Sequence, residues 1–217
     1  MDFTVEPDYM TNEVKTGTTI AAVEFDGGVV LGADSRTSMG AYVHNPVSNK
    51  LTEVTDRIYC CRSGSAADTQ AVAEIARYHL YLLGLETNER PLVKAAAYVF
   101  KDLLYNYRDQ LLAGMIVAGW DKKRGGQVYS LPLGGMLTRR QFTLGGSGST
   151  YIYGYADSNF KPNMTRDEGV NFVKNCIALA MSRDGSSGGV IRMVVITESG
   201  AERLLVTGND LPKHFEN

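Results

Sequence analysis

The stretch TTIAAVEFDGGVVLGAD, residues 18–34, decides how the rest of the chain is read. In an extended chain Thr19, Ala21, Val23 and Phe25 fall on one face, and Ile20, Ala22 and Glu24 on the other. Both faces are mostly apolar, as in a strand covered from two sides. The connection that follows is Asp26-Gly27-Gly28, a hairpin turn, and Val29 to Asp34 reads as the returning strand. The pair is therefore antiparallel and yet doubly covered. Two sheets packed face to face, with helices on their outer faces, satisfy both conditions.

The same pattern recurs along the chain. A further strand is predicted from about Arg57 to Ser63, ending at Gly64. A helix follows over Asp68 to Leu83, with Val72, Ile75, His79 and Leu82 at helical spacing, which places His79 in the core. Pro91 opens a second helix, with Leu92, Ala95, Ala96, Val99, Leu103 and Tyr107 as its stripe. Gly114 to Asp121 and Gln127 to Leu131 form a hairpin whose basic tip, Lys122-Lys123-Arg124, is a solvated turn. Gln141 to Leu144 is a short strand. Thr165 and Glu168 make a capping box for a third helix with Val170, Val173, Ile177 and Met181 as its stripe. Val190 to Thr197 and Glu202 to Val206 close the chain as a last hairpin. Blocks of hairpins separated by blocks of helices exclude strict βαβ alternation and a doubly wound parallel sheet. The expected class is α+β, a four-layer αββα sandwich of two antiparallel sheets flanked by helices.

Composition removes several function classes. With 217 residues, 44% hydrophobic and 21% charged, the chain suits one globular domain rather than disorder. Lys+Arg 22 against Asp+Glu 24 gives a net charge of −2, so there is no electrostatic case for nucleic acid. Three cysteines make no disulfide framework and suit a reducing compartment. Apolar runs are far shorter than the ~20 residues of a membrane span, so neither membrane nor nucleic acid is an expected partner. Residues 1–17 differ from the remainder, carrying Asp2, Glu6, Asp8 and Glu13 against Lys15, with no clear period. They lack the basic start and apolar stretch of a secretory signal, and read as a removable leader before a single domain, 18–217.

Most catalytic constellations fail. His44, His79 and His214 have no metal-like spacing to a cysteine or carboxylate, and neither metal nor cofactor is expected. Gly145-Gly146-Ser147-Gly148-Ser149 lacks the Gly-Lys-Ser/Thr ending of a phosphate loop. What remains is Gly17-Thr18-Thr19 at the leader junction. One reading is a loop entering a strand. The other is that the Gly17–Thr18 bond is cut, leaving Thr18 with a hydroxyl and a free α-amine on one residue. That amine titrates near ~7.7–8.0 and could accept the hydroxyl proton without a histidine.

Downstream of Gly-Thr-Thr stand GADSR (32–36), NKL (49–51), SGSAAD (63–68), GSGS (146–149) and DGSSGG (184–189). In this order and spacing they resemble the catalytic beta-type subunits of the eukaryotic 20S proteasome, which are N-terminal nucleophile hydrolases. The resemblance runs from Thr18 to about Lys213. More narrowly, GADSRT (32–37), CCRSGSAADTQ (60–70) and SRDGSSGGVIR (182–192) look like the caspase-like subunit, which cleaves after acidic residues.

The resemblance implies cleavage at Gly17–Thr18 and Thr18 as nucleophile and, through its amine, base. Lys50 would hold the pKa values of that pair down, with Asp34 as its partner, although an ordinary ion pair would use the same two residues. The Gly64 N–H would be the oxyanion donor. Ser147, Asp184 and Ser187 would surround the terminal amine, the two serines being also plausible turn residues. Arg62 would line the pocket for the side chain before the cut bond and pair with a Glu or Asp carboxylate. Its alternatives are an exposed strand residue or a partner for Asp68. Thr37, Ser38, Ser48 and Ala66 would complete substrate binding. In the interferon-induced relative the Arg62 position looks aliphatic, so this chain resembles the constitutive type there. Ser38, Met39, His44 and Pro46 depart from the family pattern around the groove.

The implied partners are other proteasome alpha and beta subunits in stacked seven-membered rings, with unfolded polypeptides as substrates. The implied setting is ATP- and ubiquitin-dependent degradation in cytoplasm and nucleus. An inactive ring subunit would be expected to have lost the threonine or the lysine, and a stand-alone amidase would not need the full set of ring-type motifs.

Overall fold

A computed structural model describes residues 17–39, 42–45 and 48–212, with the backbone alone at 37–39 and 42–45. Residues 1–16 of the leader, Pro46 and His214 lie outside the described residues. Twelve strands and four helices are described. The strands β1 (Ile20–Phe25), β2 (Gly28–Asp34), β10 (Phe142–Gly145), β11 (Ile191–Thr197) and β12 (Gly200–Val206) form one antiparallel sheet in the order β10-β1-β2-β11-β12. The second sheet runs β5-β6-β7-β8-β9, from β5 (Leu51–Thr55), β6 (Ile58–Gly64), β7 (Ala113–Asp121), β8 (Gly125–Leu131) and β9 (Thr138–Arg140). A separate hairpin pairs β3 (Thr37–Met39) with β4 (Tyr42–Asn45).

Period-two alternation divides each strand between two apolar layers. On β1, Ala21, Val23 and Phe25 pack outward under α4 (Arg166–Arg183), while Ile20 and Ala22 face the other sheet. On β7, Met115 and Val117 pack outward under α1 (Ala66–Thr87) and α2 (Val93–Asn106), while Ile116 and Ala118 face inward. These layers account for strands that are apolar on both faces yet joined by hairpins. The hairpin at Asp26-Gly27 closes with Phe25 opposite Gly28 in register. A short α3 (Tyr153–Asn159) packs on the α4 side. The four-layer sandwich is the one the sequence predicted.

The helix limits agree to within a few residues, but two buried faces do not. In α1 the buried positions are Thr69, Val72, Ala73, Ala76 and Leu80; Ile75 and Leu82 are more than two-fifths exposed. His79 is also exposed, with its ring edge-on to Tyr78, which corrects its expected place in the core. In α2 the buried face is Val93, Ala96, Ala97, Phe100 and Leu104, offset from the expected stripe, and Leu92 and Tyr107 face out. In α4 Val173 and Ile177 are core, while Val170 and Met181 pack at its edge. Its capping box is present, with Thr165 accepting from the Glu168 N–H and the Glu168 carboxylate accepting from the Thr165 N–H. The basic tip 122–124 is exposed, its turn closed by Asp121 accepting from the N–H groups of Lys123 and Arg124.

Cys60, Cys61 and Cys176 are buried free thiols. Burial pushes Cys60 and Cys176 up to about 12, which makes them inert at neutral pH. No helix among the described residues is long and apolar enough to cross a membrane.

Candidate active site

The two sheets meet at one end around Thr18, which is 2% exposed and directly precedes β1. Its bond to Gly17 is intact. A side chain at position 17 would collide with Ser186 Cβ and its carbonyl, so glycine is the residue that lets the chain pass here.

On one side lies an ion pair. Asp34 ends β2, Lys50 immediately precedes β5, and Lys50 Nζ donates to Asp34 Oδ1 at 2.7 Å. The same ammonium donates to the Gly17 carbonyl at 3.1 Å. Asp34 is fully buried but well satisfied. Its Oδ1 also accepts from the Thr19 N–H at 2.9 Å, and its Oδ2 accepts from the N–H groups of Gly188 at 3.0 Å and Arg36 at 3.2 Å. Burial lowers the Lys50 pKa from its usual value, while Asp34 pulls it back up. The geometry is that of a buried pair whose acid is held by three backbone donors, so the ammonium is aimed and not merely neutralised.

On the other side a cluster of hydroxyls surrounds Asp184. This residue caps the C-terminus of α4, an unfavourable end for a carboxylate. Three donors offset that: Ser187 Oγ at 2.7 Å and Ser147 Oγ at 2.8 Å to Oδ2, and the Ser186 N–H at 3.0 Å to Oδ1. Burial alone would raise the carboxyl pKa, but these bonds and the Lys50 charge together hold it below its usual range. Ser147 begins a single 3₁₀ turn after β10 and accepts from the Thr18 N–H at 3.1 Å. The Gly148 N–H fixes the Thr18 carbonyl at 3.2 Å.

Thr18 lies between two openings. A cavity of about 60 Å³ is lined by Thr18, Ser48, Lys50, Arg62, Gly64 and Ala66. A larger trough of about 990 Å³ runs from Thr18 and Gly64 past Ser147 to Met136 and Tyr153. Gly64 borders both. It ends β6 at φ 111°, and a Cβ there would collide with the Leu112 carbonyl, so only glycine fits.

Arg62 reaches the small cavity from β6. Its guanidinium donates to Thr69 Oγ1 at 3.3 Å and to the Asn49 carbonyl at 3.0 Å, and its buried Nε has no hydrogen-bond partner. No carboxylate among the described residues pairs with it. Asp68, the alternative read from the sequence, instead accepts from the Leu112 N–H at 2.9 Å. Ser48 turns its hydroxyl to the Ser35 carbonyl at 2.8 Å, and Ala66 starts α1 at the cavity rim. Thr37 and Ser38 are on β3; their side chains, with those of Met39 and His44, fall outside what is described.

Thus Thr18, Asp34, Lys50, Gly64, Arg62, Ser147, Asp184 and Ser187 come together from six segments of the chain. The sequence reading missed Thr19, whose hydroxyl contacts Ser187 at 2.8 Å, and the Gly188 amide on Asp34. Neither carries a residue-type signal: one is a second threonine beside the first, the other a backbone group.

The family model described as "Proteasome subunit" matches residues 14–196. The chain belongs to the proteasome subunit family. It is 56% identical over 210 residues to "Proteasome subunit beta type-6" of Dictyostelium discoideum, covering 97% of this chain and 98% of that one. It is 58% identical over 204 residues to "Proteasome subunit beta type-9" of Homo sapiens, covering 94% and 93%. A "Proteasome subunit beta type-6-A like protein" of Salmo salar is 54% identical over 210 residues, covering 96% and 97%. Family and fold agree: the four-layer sandwich with a threonine at the mouth of its sheets is the N-terminal nucleophile hydrolase architecture of proteasome subunits.

Proposed function

We propose that this chain is a threonine endopeptidase subunit of a 20S proteasome core that cuts after acidic residues, once the Gly17–Thr18 bond has been cleaved. As a member of the proteasome subunit family it assembles with other proteasome subunits; we place it in stacked rings of alpha and beta subunits acting on unfolded polypeptides. The wider setting is ATP- and ubiquitin-dependent degradation by the capped core in cytoplasm and nucleus.

The observation that carries the reading is the position of Thr18 between the Lys50–Asp34 pair and the Ser147–Asp184 cluster. After cleavage the Thr18 nitrogen becomes an amine whose lone pair can take the hydroxyl proton. Thr18 Oγ then attacks the substrate carbonyl, and the Gly64 N–H receives the developing oxyanion. The proton passes from the amine to the leaving nitrogen, giving an ester on Thr18 and a released peptide. Water, deprotonated by the same amine, hydrolyses the ester and restores the hydroxyl. Lys50 lowers the cost of the alkoxide, and its bond to the Gly17 carbonyl supports cleavage at the preceding bond by polarising it. A guanidinium with no carboxylate of its own among the described residues supports an acidic side chain in the small cavity.

Intact-mass analysis of assembled particles tests the nucleophile. The expected chain begins at Thr18 and gains the mass of an electrophilic inhibitor, whereas Thr18→Ala neither gains it nor hydrolyses acidic peptides. Particles retaining residues 1–17 at full post-acidic activity would refute the reading.

A further inference from the structure

Thr19 is completely buried beside Thr18, and the mechanism above makes no use of its hydroxyl. The direction of its hydrogen bond follows from the surrounding protons. Asp184 accepts two hydroxyls on Oδ2 and an N–H on Oδ1, the pattern of a carboxylate with no proton of its own. Ser187 therefore spends its one proton on Asp184 and can only accept from Thr19, at 2.8 Å. Thr19 is the donor at the outer end of a chain that runs through Ser187 and Asp184 to Ser147 and the Thr18 nitrogen.

The backbone of Thr19 serves the other half of the site. Its N–H donates to Asp34 Oδ1 at 2.9 Å, and its carbonyl accepts from the Asp34 N–H at 3.1 Å. The space around the hydroxyl is shaped for this contact. A Cβ on Gly148 would collide with Thr19 Oγ1 and stand 3.1 Å from Ser187 Oγ, so the missing side chain at 148 leaves room for the pair.

We propose that Thr19 is a positioning residue for the reaction: its hydroxyl, donating to Ser187, holds Asp184 and Ser147 in register with the Thr18 nitrogen, while its N–H holds Asp34 against Lys50. The proposal rests on the reading of Thr18 as nucleophile. A neutral hydrogen bond in such a chain is worth on the order of 1 kcal/mol, so losing it should slow turnover about five-fold without weakening substrate binding, which Thr19 does not touch.

The test compares two pairs of variants that differ by one hydroxyl within each pair. They are wild type with Thr19→Val, and Thr19→Ser with Thr19→Ala, in assembled particles whose other active subunits are silenced. Rates on an acidic peptide are normalised to the fraction of chains that begin at Thr18, measured by intact mass. The expected result is kcat about five-fold lower in Thr19→Val than in wild type, and in Thr19→Ala than in Thr19→Ser, with KM changed less than about two-fold. If Thr19→Val does not assemble, the serine–alanine pair decides alone. Equal kcat within the pairs, or a change confined to KM, overturns the proposal; so does Thr19→Ser falling as low as Thr19→Ala, which would make the methyl the important group. Thr18→Ala is run in parallel: if it retains post-acidic hydrolysis, the nucleophile reading itself has failed, an outcome distinct from the others.

Discussion

Replacing Lys50 by methionine removes the ammonium while keeping most of the side chain's length and volume. Lys50 is 7% exposed and Asp34 not at all, so the substitution strands a carboxylate in the interior. Removing one partner of a buried pair costs about 3–5 kcal/mol. Asp34 keeps its three N–H donors from Thr19, Arg36 and Gly188, which places this case at the lower end, about 3 kcal/mol. With a urea slope of about 1–3 kcal/mol/M, the unfolding midpoint of this subunit should fall by about 1 M or more. Pulse proteolysis of assembled particles in urea, read by mass spectrometry of this chain, measures it. Lys50→Met/Asp34→Asn removes both charges but turns an amide NH2 toward a backbone N–H that the carboxylate satisfied, so it should recover only part of the lost stability, and neither variant should regain activity. Without the cation beside Thr18, turnover on an acidic peptide is expected to fall about 100-fold or more. Near-normal turnover in Lys50→Met would refute the catalytic role. Lys50→Met as stable as the wild type would refute the stranded-charge reasoning.

Three further outcomes are expected. Arg62→Leu should lose about ten- to a hundred-fold in cleavage after Glu and Asp and gain cleavage after branched aliphatic residues, with inhibitor capture at Thr18 intact; digests of a peptide library, other active subunits silenced, read this directly. Gly64→Ala combines a positive φ with a collision at the Leu112 carbonyl, so a cost of about 1–3 kcal/mol and depressed kcat should appear together in assembly yield and peptide hydrolysis. The Asp184 pKa is depressed below its usual 3.8, so its contribution to stability is complete above that value and lost as pH falls through the lower, folded one. On the proposed reading, acid inactivation of kcat above about pH 5 therefore belongs to the Thr18 amine, and Asp184 should add no second acid limb to kcat near pH 4–5.

Much of the fold was legible because residues 20–34 combine two-faced apolarity with a hairpin turn, and few architectures satisfy both. Less legible were strands with little apolar content. In β5 only Leu51 and Val54 are buried, and β9 is Thr138-Arg139-Arg140, which carries no period at all. The helix faces were misread for a different reason. A stripe drawn through large residues selects Ile75, His79 and Leu82 in α1, but the close approach of α1 to its sheet is made by Ala73 and Ala76 beside Val72 and Leu80. In α2 the run Ala95-Ala96-Ala97 leaves the face undetermined by one residue. At the site, the acid, the lysine and the serines stood in motifs, whereas Thr19 acts through a partner 168 positions away that no local pattern could supply.

The intact Gly17–Thr18 bond occupies the same groups that the free terminus would use. Lys50 Nζ is bonded to the Gly17 carbonyl, and the Ser147 lone pair is taken by the Thr18 N–H. As an amide, that nitrogen has no basic lone pair, so on the proposed reading the chain is inactive for want of a base and not for want of an assembled site. Cutting one bond turns the amide into an amine with a basic lone pair and frees the ammonium from the Gly17 carbonyl. Little else needs to move, because Thr19 ties the next position in the chain to Asp34 through its backbone and to Ser187 through its hydroxyl. Activation is then a change in the chemistry of one nitrogen inside a frame that is already built.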